Sequence, residues 1–279
     1  MWHRRAGKDQ TAWHWLSVAS QKRVGVYWYL LPTHIQARRV VWENIDEAGN
    51  RMLDAFPGWR SPDQPGSMVK HIRHDMMRIE LRNGSAVYCC GADAYDSLMG
   101  SNPVGVVLSE YAISNPAAWN YVSPILRVNG GWAIFPFTPR GNNHGFRLYE
   151  MAKDNPDWFC ERLTVEDTGI VSLEDLDKER RAGMPEELIQ QEYYCSADAP
   201  LEGSFWGDQL IEADKEGRIT RVSHDESLQV HTWWDLGNAD ATAVWFIQLA
   251  GNEIHVIDYD EASYRTPAQD VAMLNRKAA

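Results

Sequence analysis

The chain has 279 residues, 44% of them hydrophobic, enough for one large domain or two smaller ones. Its net charge of −12 argues against DNA binding over the whole surface, which favours a basic domain, but not against a local basic patch. No apolar run approaches the roughly 20 residues that span a bilayer, Met1-Trp2-His3-Arg4-Arg5 leads into no apolar signal segment, and the four cysteines form no CxxC pair. The prediction is a soluble protein of the reducing cytoplasm, with free thiols, no membrane partner and no structural zinc.

In chain order, strand-like and helix-like segments alternate. Gly7-Lys8 opens a helix-like run over residues 10–20, and residues 24–31 (VGVYWYLL) read as a buried strand ending at Pro32. Residues 33–45 read as a helix with Thr33 as N-cap. Residues 77–81 and 86–90 flank Arg82-Asn83-Gly84-Ser85, a hairpin signal. Cys89 and Cys90 fall in the second arm and should point to opposite faces. Residues 104–108 are a continuous apolar strand of the kind found inside a parallel sheet. A helix over 116–126 and a buried strand over 131–137 follow, then helices over 146–152, 173–181 and 186–194. This alternation predicts a doubly wound α/β sheet covered by helices. The boundaries are a first domain at 1–197, a Gly-, Asp-, Glu- and Ser-rich linker at 198–229, and a second domain at 230–279. The second domain has a three-strand meander (230–236, 242–249, 253–259) and a helix over 267–277, a small core for an independent fold.

Three places carry chemistry. In His3-Arg4-Arg5-Ala6-Gly7-Lys8-Asp9 a Gly-Lys pair opens a helix, the heart of a phosphate-binding loop. Backbone N–H groups at the helix end cradle phosphate oxygens, with Lys8 reaching the β- and γ-phosphates. The usual first glycine is missing, and Asp9 stands where Ser or Thr would hold Mg²⁺; its carboxylate can also ligate that ion. The strand at 104–108 ends in Ser109-Glu110. A carboxylate there can orient an attacking water, and Ser109 can hold a metal-bound water. A lone strand-terminal Glu is more often merely solvated, so Glu110 gains weight only from its place after Gly7-Lys8. The next strand ends in Thr138-Pro139-Arg140-Gly141, where Thr138 can sense the γ-phosphate and Arg140 can meet phosphate or DNA; an ordinary Pro-Gly turn is the plainer reading.

These segments, with Gly91-Ala92-Asp93, the run from Asp96 through Met99-Gly100-Ser101-Asn102-Pro103 to Ala112, Asn129-Gly130-Gly131-Trp132-Ala133-Ile134 and Trp234-Asp235-Leu236-Gly237, resemble the large terminase family of tailed phages over nearly the whole chain. The resemblance implies an ASCE-type P-loop ATPase domain followed by the start of an RNase H-like nuclease domain. It implies ATP and Mg²⁺ as ligands of the first domain, held by Arg5, Gly7, Lys8, Asp9 and Ser109. Arg4 matches a charge-stabilising arginine, Glu110 the catalytic carboxylate and Thr138 the coupling position. Met99 departs from the pattern, standing where many members carry an arginine, so that arginine's role is not carried over.

Asp235 resembles the first ligand of a two-metal nuclease using Mg²⁺ or Mn²⁺, with Asp240 as a further candidate and Asp258 as peripheral. The family's remaining acids come further along than residue 279, and its upstream strand comes before Met1, so the resemblance implies a chain short at both ends. Implied partners are double-stranded DNA, a portal protein, a small terminase subunit and other copies in a homo-oligomeric ring. Competing readings are a helicase-like nucleotide hydrolase, which would not need Asp235, and a remnant that binds partners without turnover.

Overall fold

The alternation folds into a six-stranded mixed sheet and a second sheet of three strands. The computed structural model describes residues 1–93, 95, 100–197, 206–237 and 241–277. The chain divides into two compact units, Met1–Ser204 and Phe205–Ala279.

The first unit begins with α1 (Lys8–Lys22) and β1 (Val26–Leu31). Next come α2 (His34–Ala37), β2 (Val69–Arg73), β3 (Arg78–Leu81), β4 (Ala86–Gly91) and β5 (Pro103–Leu108). Then follow α3 (Ala117–Asn129), β6 (Trp132–Ile134), α4 (His144–Lys153), α5 (Val165–Thr168), α6 (Leu173–Arg181) and α7 (Glu186–Tyr194). The sheet order is β2-β3-β4-β1-β5-β6, parallel from β4 to β6 and antiparallel at the β2 and β3 end.

The central strands are apolar throughout because both faces are covered. In β1, Tyr27, Tyr29 and Leu31 join a core with Trp13 and Leu16 of α1. Trp28 and Leu30 alternate into a second core with Val106 and Leu108 of β5 and Val122 and Leu126 of α3. Cys89 lies in the first core and Cys90 packs against the second, as strand alternation requires. All four thiols are free, and burial pushes Cys90 up to about 12.

Some boundaries differ from the sequence reading. Thr33 does cap a helix, in a reciprocal box with Gln36. That helix widens into a π-helical stretch, Arg38–Trp42, which turns Val41 and Trp42 with Ala37 into the first core. The strand expected over 131–137 shrinks to Trp132–Ile134 and is half-buried. It is the sheet edge, and Pro136 has no N–H to continue a ladder. The 83–84 hairpin forms, Gly84 supplying φ 96° and Leu81 N donating to Ser85 O at 2.8 Å. Strand β2 carries no apolar alternation in the sequence, because Lys70, His71 and Arg73 break it, as charged residues commonly do on edge strands.

The second unit holds α8 (Gly207–Lys215), inside the stretch read as linker. The meander β7 (Val230–Asp235), β8 (Thr242–Ala250) and β9 (Glu253–Ala262) is antiparallel, followed by α9 (Pro267–Lys277). Val244 and Phe246 of β8 pack with Met273 of α9. Among the described residues, no helix is long and apolar enough to cross a membrane.

Trp13 ties α1 to the first core. Its ring meets Tyr29 and Phe56 edge-on at 5.1 and 5.3 Å, and its indole N–H donates to the Met52 carbonyl at 2.7 Å. Trp13→Phe keeps an aromatic ring but orphans that buried carbonyl. The expected loss is about 1–3 kcal/mol, read as a lower urea midpoint by circular dichroism; an unchanged midpoint would mean the bond contributes nothing.

Candidate active site

Residues 1–3 form a rung of backbone pairing ahead of α1. Trp2 N donates to Phe137 O at 3.1 Å, His3 N to Leu163 O at 2.9 Å, and Leu163 N to Met1 O at 3.1 Å. The loop that follows is thereby held beside the carboxyl ends of the parallel strands, where open α/β sheets bind ligands. Arg5 and Gly7 both adopt left-handed backbone, φ 68° and 77°, and Gly7 is the N-cap of α1. No side chain caps this helix, and its first internal bond is Thr11 N to Gly7 O. The first-turn N–H groups therefore point outward as an anion cradle.

The end of β5 meets this turn. Ser109 N donates to Leu30 O and Glu110 N to Pro136 O, both at 2.8 Å, fixing both residues between their neighbouring strands. Glu110 turns left-handed at φ 52°, a conformation costly for a non-glycine and concentrated at functional sites. Its carboxylate forms an ion pair with Lys8 Nζ at 2.9 Å. Ser109 Oγ donates to Asp9 Oδ1, and the Tyr29 hydroxyl donates to the same oxygen at 2.8 Å. Burial first, then the Asp9 charge, push the Tyr29 phenol well above its ordinary range, so it remains a donor. Thr138, buried, donates to the Trp2 carbonyl at 3.0 Å.

Lys8, Asp9, Ser109 and Glu110 thus come together, with Thr138 bonded to Trp2 in the segment that leads into the loop. Arg4 and Arg5 are exposed, and Arg4 turns to Glu192 of α7. Tyr29 and Glu192 were missed. Tyr29 looks like any aromatic of a buried strand, and Glu192 sits far along the chain in a helix with no motif. Asp235 ends β7, exposed, and shares Ala243 as register partner with Glu261 of β9. Asp258 pairs with Lys277 Nζ at 2.6 Å. Asp240, Met99 and the rest of 96–99 lie outside the described residues. Among the described residues, no group of three or more His, Cys, Asp or Glu side chains is placed to hold a metal.

No protein-family model matches the chain. In sequence it is 24% identical over 217 residues to the terminase large subunit of Thermus virus P23-45, a match covering 70% of this chain and 44% of that protein. The same figures hold for the terminase large subunit of Thermus phage G20c. In structure it matches the large terminase ATPase domain of Thermus phage P74-26 with a TM-score of 0.54 at 22% identity, covering 70% of this chain and 86% of that one. In sequence the chain is similar to phage terminase large subunits. Its fold is that of a large-terminase ATPase domain. The large terminase of a thermophilic bacteriophage, solved in complex with ATP-gamma-S, matches with a TM-score of 0.52 at 15% identity over 99% of this chain and 67% of that one. The chain spans less than half the length of the terminase large subunits it matches in sequence.

Gly7→Ala forces a Cβ into left-handed backbone at the cap of α1. It is expected to destabilise the terminase-like unit by about 1–2 kcal/mol, seen as a lower chemical-denaturation midpoint. A neutral result would show that the loop relaxes to a different path.

Proposed function

We propose that the first unit hydrolyses ATP to drive DNA packaging, as the motor part of a phage terminase. The observation that carries this reading is the meeting of Lys8, Asp9, Ser109 and Glu110 at the carboxyl ends of the parallel strands, at the open N-terminus of a helix. Similarity to large terminases, one of them solved in complex with ATP-gamma-S, supports ATP as the ligand.

The loop's N–H groups and Lys8 receive the β- and γ-phosphates. Lys8 pairs with Glu110, and phosphate oxygens can take Glu110's place on its ammonium. That exchange frees the Glu110 carboxylate to orient the attacking water and accept its proton. The donor set beside it, a carboxylate oxygen of Asp9 and the hydroxyl of Ser109, fits a hard cation that takes one or two protein oxygens and leaves its other positions to water and phosphate. When bound there, Mg²⁺ would neutralise phosphate charge and orient the γ-phosphate. The Tyr29 hydroxyl keeps the Asp9 carboxylate aimed at this point. Thr138, bonded to the Trp2 carbonyl just ahead of the phosphate loop, relays the phosphate state to the rest of the unit, and Arg4 stabilises charge developing on the γ-phosphate.

Kinship with terminases extends the proposal to partners: double-stranded DNA as the cargo, a portal protein, a small terminase subunit, and a ring of copies during packaging in the host cytoplasm. It also makes Asp235, with Asp240, the proposed first carboxylates of an RNase H-like nuclease using Mg²⁺ or Mn²⁺. The described residues of the second unit bring only Asp235 and Glu261 into register, too few ligands for a two-metal centre, and no cleavage step is derived from them.

The test is calorimetric titration of Mg²⁺-ATP into the folded chain and into Lys8→Ala. Binding by the wild-type chain, weakened at least tenfold in the variant, is the expected result. No binding by a folded wild-type chain would overturn the nucleotide reading and leave a remnant that shares only the fold.

A further inference from the structure

Glu192 is a carboxylate on α7 whose side chain is 3% exposed. A buried glutamate is costly unless it is paired and hydrogen-bonded. Here both oxygens are used. Oε1 meets Arg140 Nη1 at 2.8 Å, and Oε2 meets Arg4 Nη1 at 3.3 Å. The backbone doubles the second link, Arg4 N donating to Glu192 O at 2.7 Å. The preceding residue makes a parallel connection. Gln191, also buried, accepts from Gly141 N at 3.2 Å and donates to Glu192 Oε1 at 3.4 Å.

The end of α7 therefore grips two loops at once. One is the phosphate loop, through Arg4. The other is Thr138-Pro139-Arg140-Gly141, through the Arg140 guanidinium and the Gly141 N–H. Arg4 is 58% exposed on its side chain and Arg140 29%, so neither cation is buried for its own sake. It is the carboxylate that is buried. A carboxylate shared by two arginines has a particular property: one guanidinium can turn toward a phosphate oxygen while the other still satisfies the buried charge. With a single arginine the same turn would leave an unpaired buried carboxylate, which costs several kcal/mol.

We infer that Glu192 is a positioning residue for hydrolysis: it holds Arg4 at the phosphate loop in reach of the γ-phosphate, while Arg140 keeps the buried carboxylate paired when Arg4 turns away. Glu192 acts through Arg4 and touches no substrate. The inference rests on the ATP-hydrolysis reading above and deepens it, since it joins the phosphate loop, the loop carrying Thr138 and α7 through one side chain.

The experiment measures steady-state ATP hydrolysis by the wild-type chain, Glu192→Gln, Glu192→Asp, Arg4→Ala and the double variant Glu192→Gln with Arg4→Ala, after circular dichroism shows each to be folded. Glu192→Gln is expected to lower kcat about 10- to 100-fold, with KM for ATP changed less than about threefold. Glu192→Asp, which keeps the charge, should recover part of the loss. The double variant should be no slower than Arg4→Ala alone, because the two residues act as one unit. Wild-type kcat in Glu192→Gln, or losses that multiply in the double variant, would overturn the assignment while leaving the nucleotide reading intact. If Glu192→Gln does not fold, Glu192→Asp and Arg140→Ala carry the test, and Arg140→Ala at wild-type kcat would sink the shared-carboxylate argument. A wild-type chain that neither binds nor hydrolyses ATP would defeat the underlying reading and this one together.

Discussion

Lys8 and Glu110 lie about a hundred residues apart in the chain and meet at 2.9 Å. That contact is possible only where the first turn of α1 meets the carboxyl end of β5. The packing that brings them there is extensive. Trp13 and Leu16 anchor α1 to the face of β1, and β5 lies beside β1 with both strands buried on two sides. The pair also defines the resting chemistry of the site. Each partner keeps hydrogen-bonding capacity beyond this contact, the ammonium in its other donors and the partly exposed carboxylate in its second oxygen. Under the proposed function, an anion at the loop would compete with Glu110 for Lys8.

Backbone conformation serves the same end. Left-handed geometry at Gly7 turns the loop into α1 without a side-chain cap, which leaves N–H groups open for an anion. Left-handed geometry at Glu110 turns its carboxylate back toward Lys8 instead of letting it continue the strand direction. The two turns are held by different means. Gly7 needs no compensation because it lacks a Cβ. Glu110 is held by its own N–H on the Pro136 carbonyl and by the Ser114 hydroxyl on its carbonyl at 3.2 Å.

The helices α5 to α7 have their own small core of Val165, Leu176 and Ile189. They reach the phosphate loop through polar contacts: the His3 ring to Thr168 at 2.6 Å, and Arg4 to Glu192. Burial lowers the His3 pKa, which keeps the ring neutral in this contact.

Much was legible in the sequence because it rested on local rules. Strands β1 and β5 follow from continuous apolar runs, the hairpin from Asn83-Gly84, the helix start from Thr33, and the meander from its spacing. Lys8, Asp9, Ser109 and Glu110 were visible as a Gly-Lys pair opening a helix and an acid closing a strand, and their family resemblance joined them. What tertiary structure alone decided were the pairings between distant elements. The pairing of Lys8 with Glu110, the aim of Tyr29 at Asp9, and the burial of Glu192 between two arginines have no local signature. The half-buried state of β6 and the existence of β2 were hidden for a related reason. Whether a strand lies at the edge or the centre depends on which neighbours it finds, and local patterning records what a residue prefers, not which partner the fold brings to it.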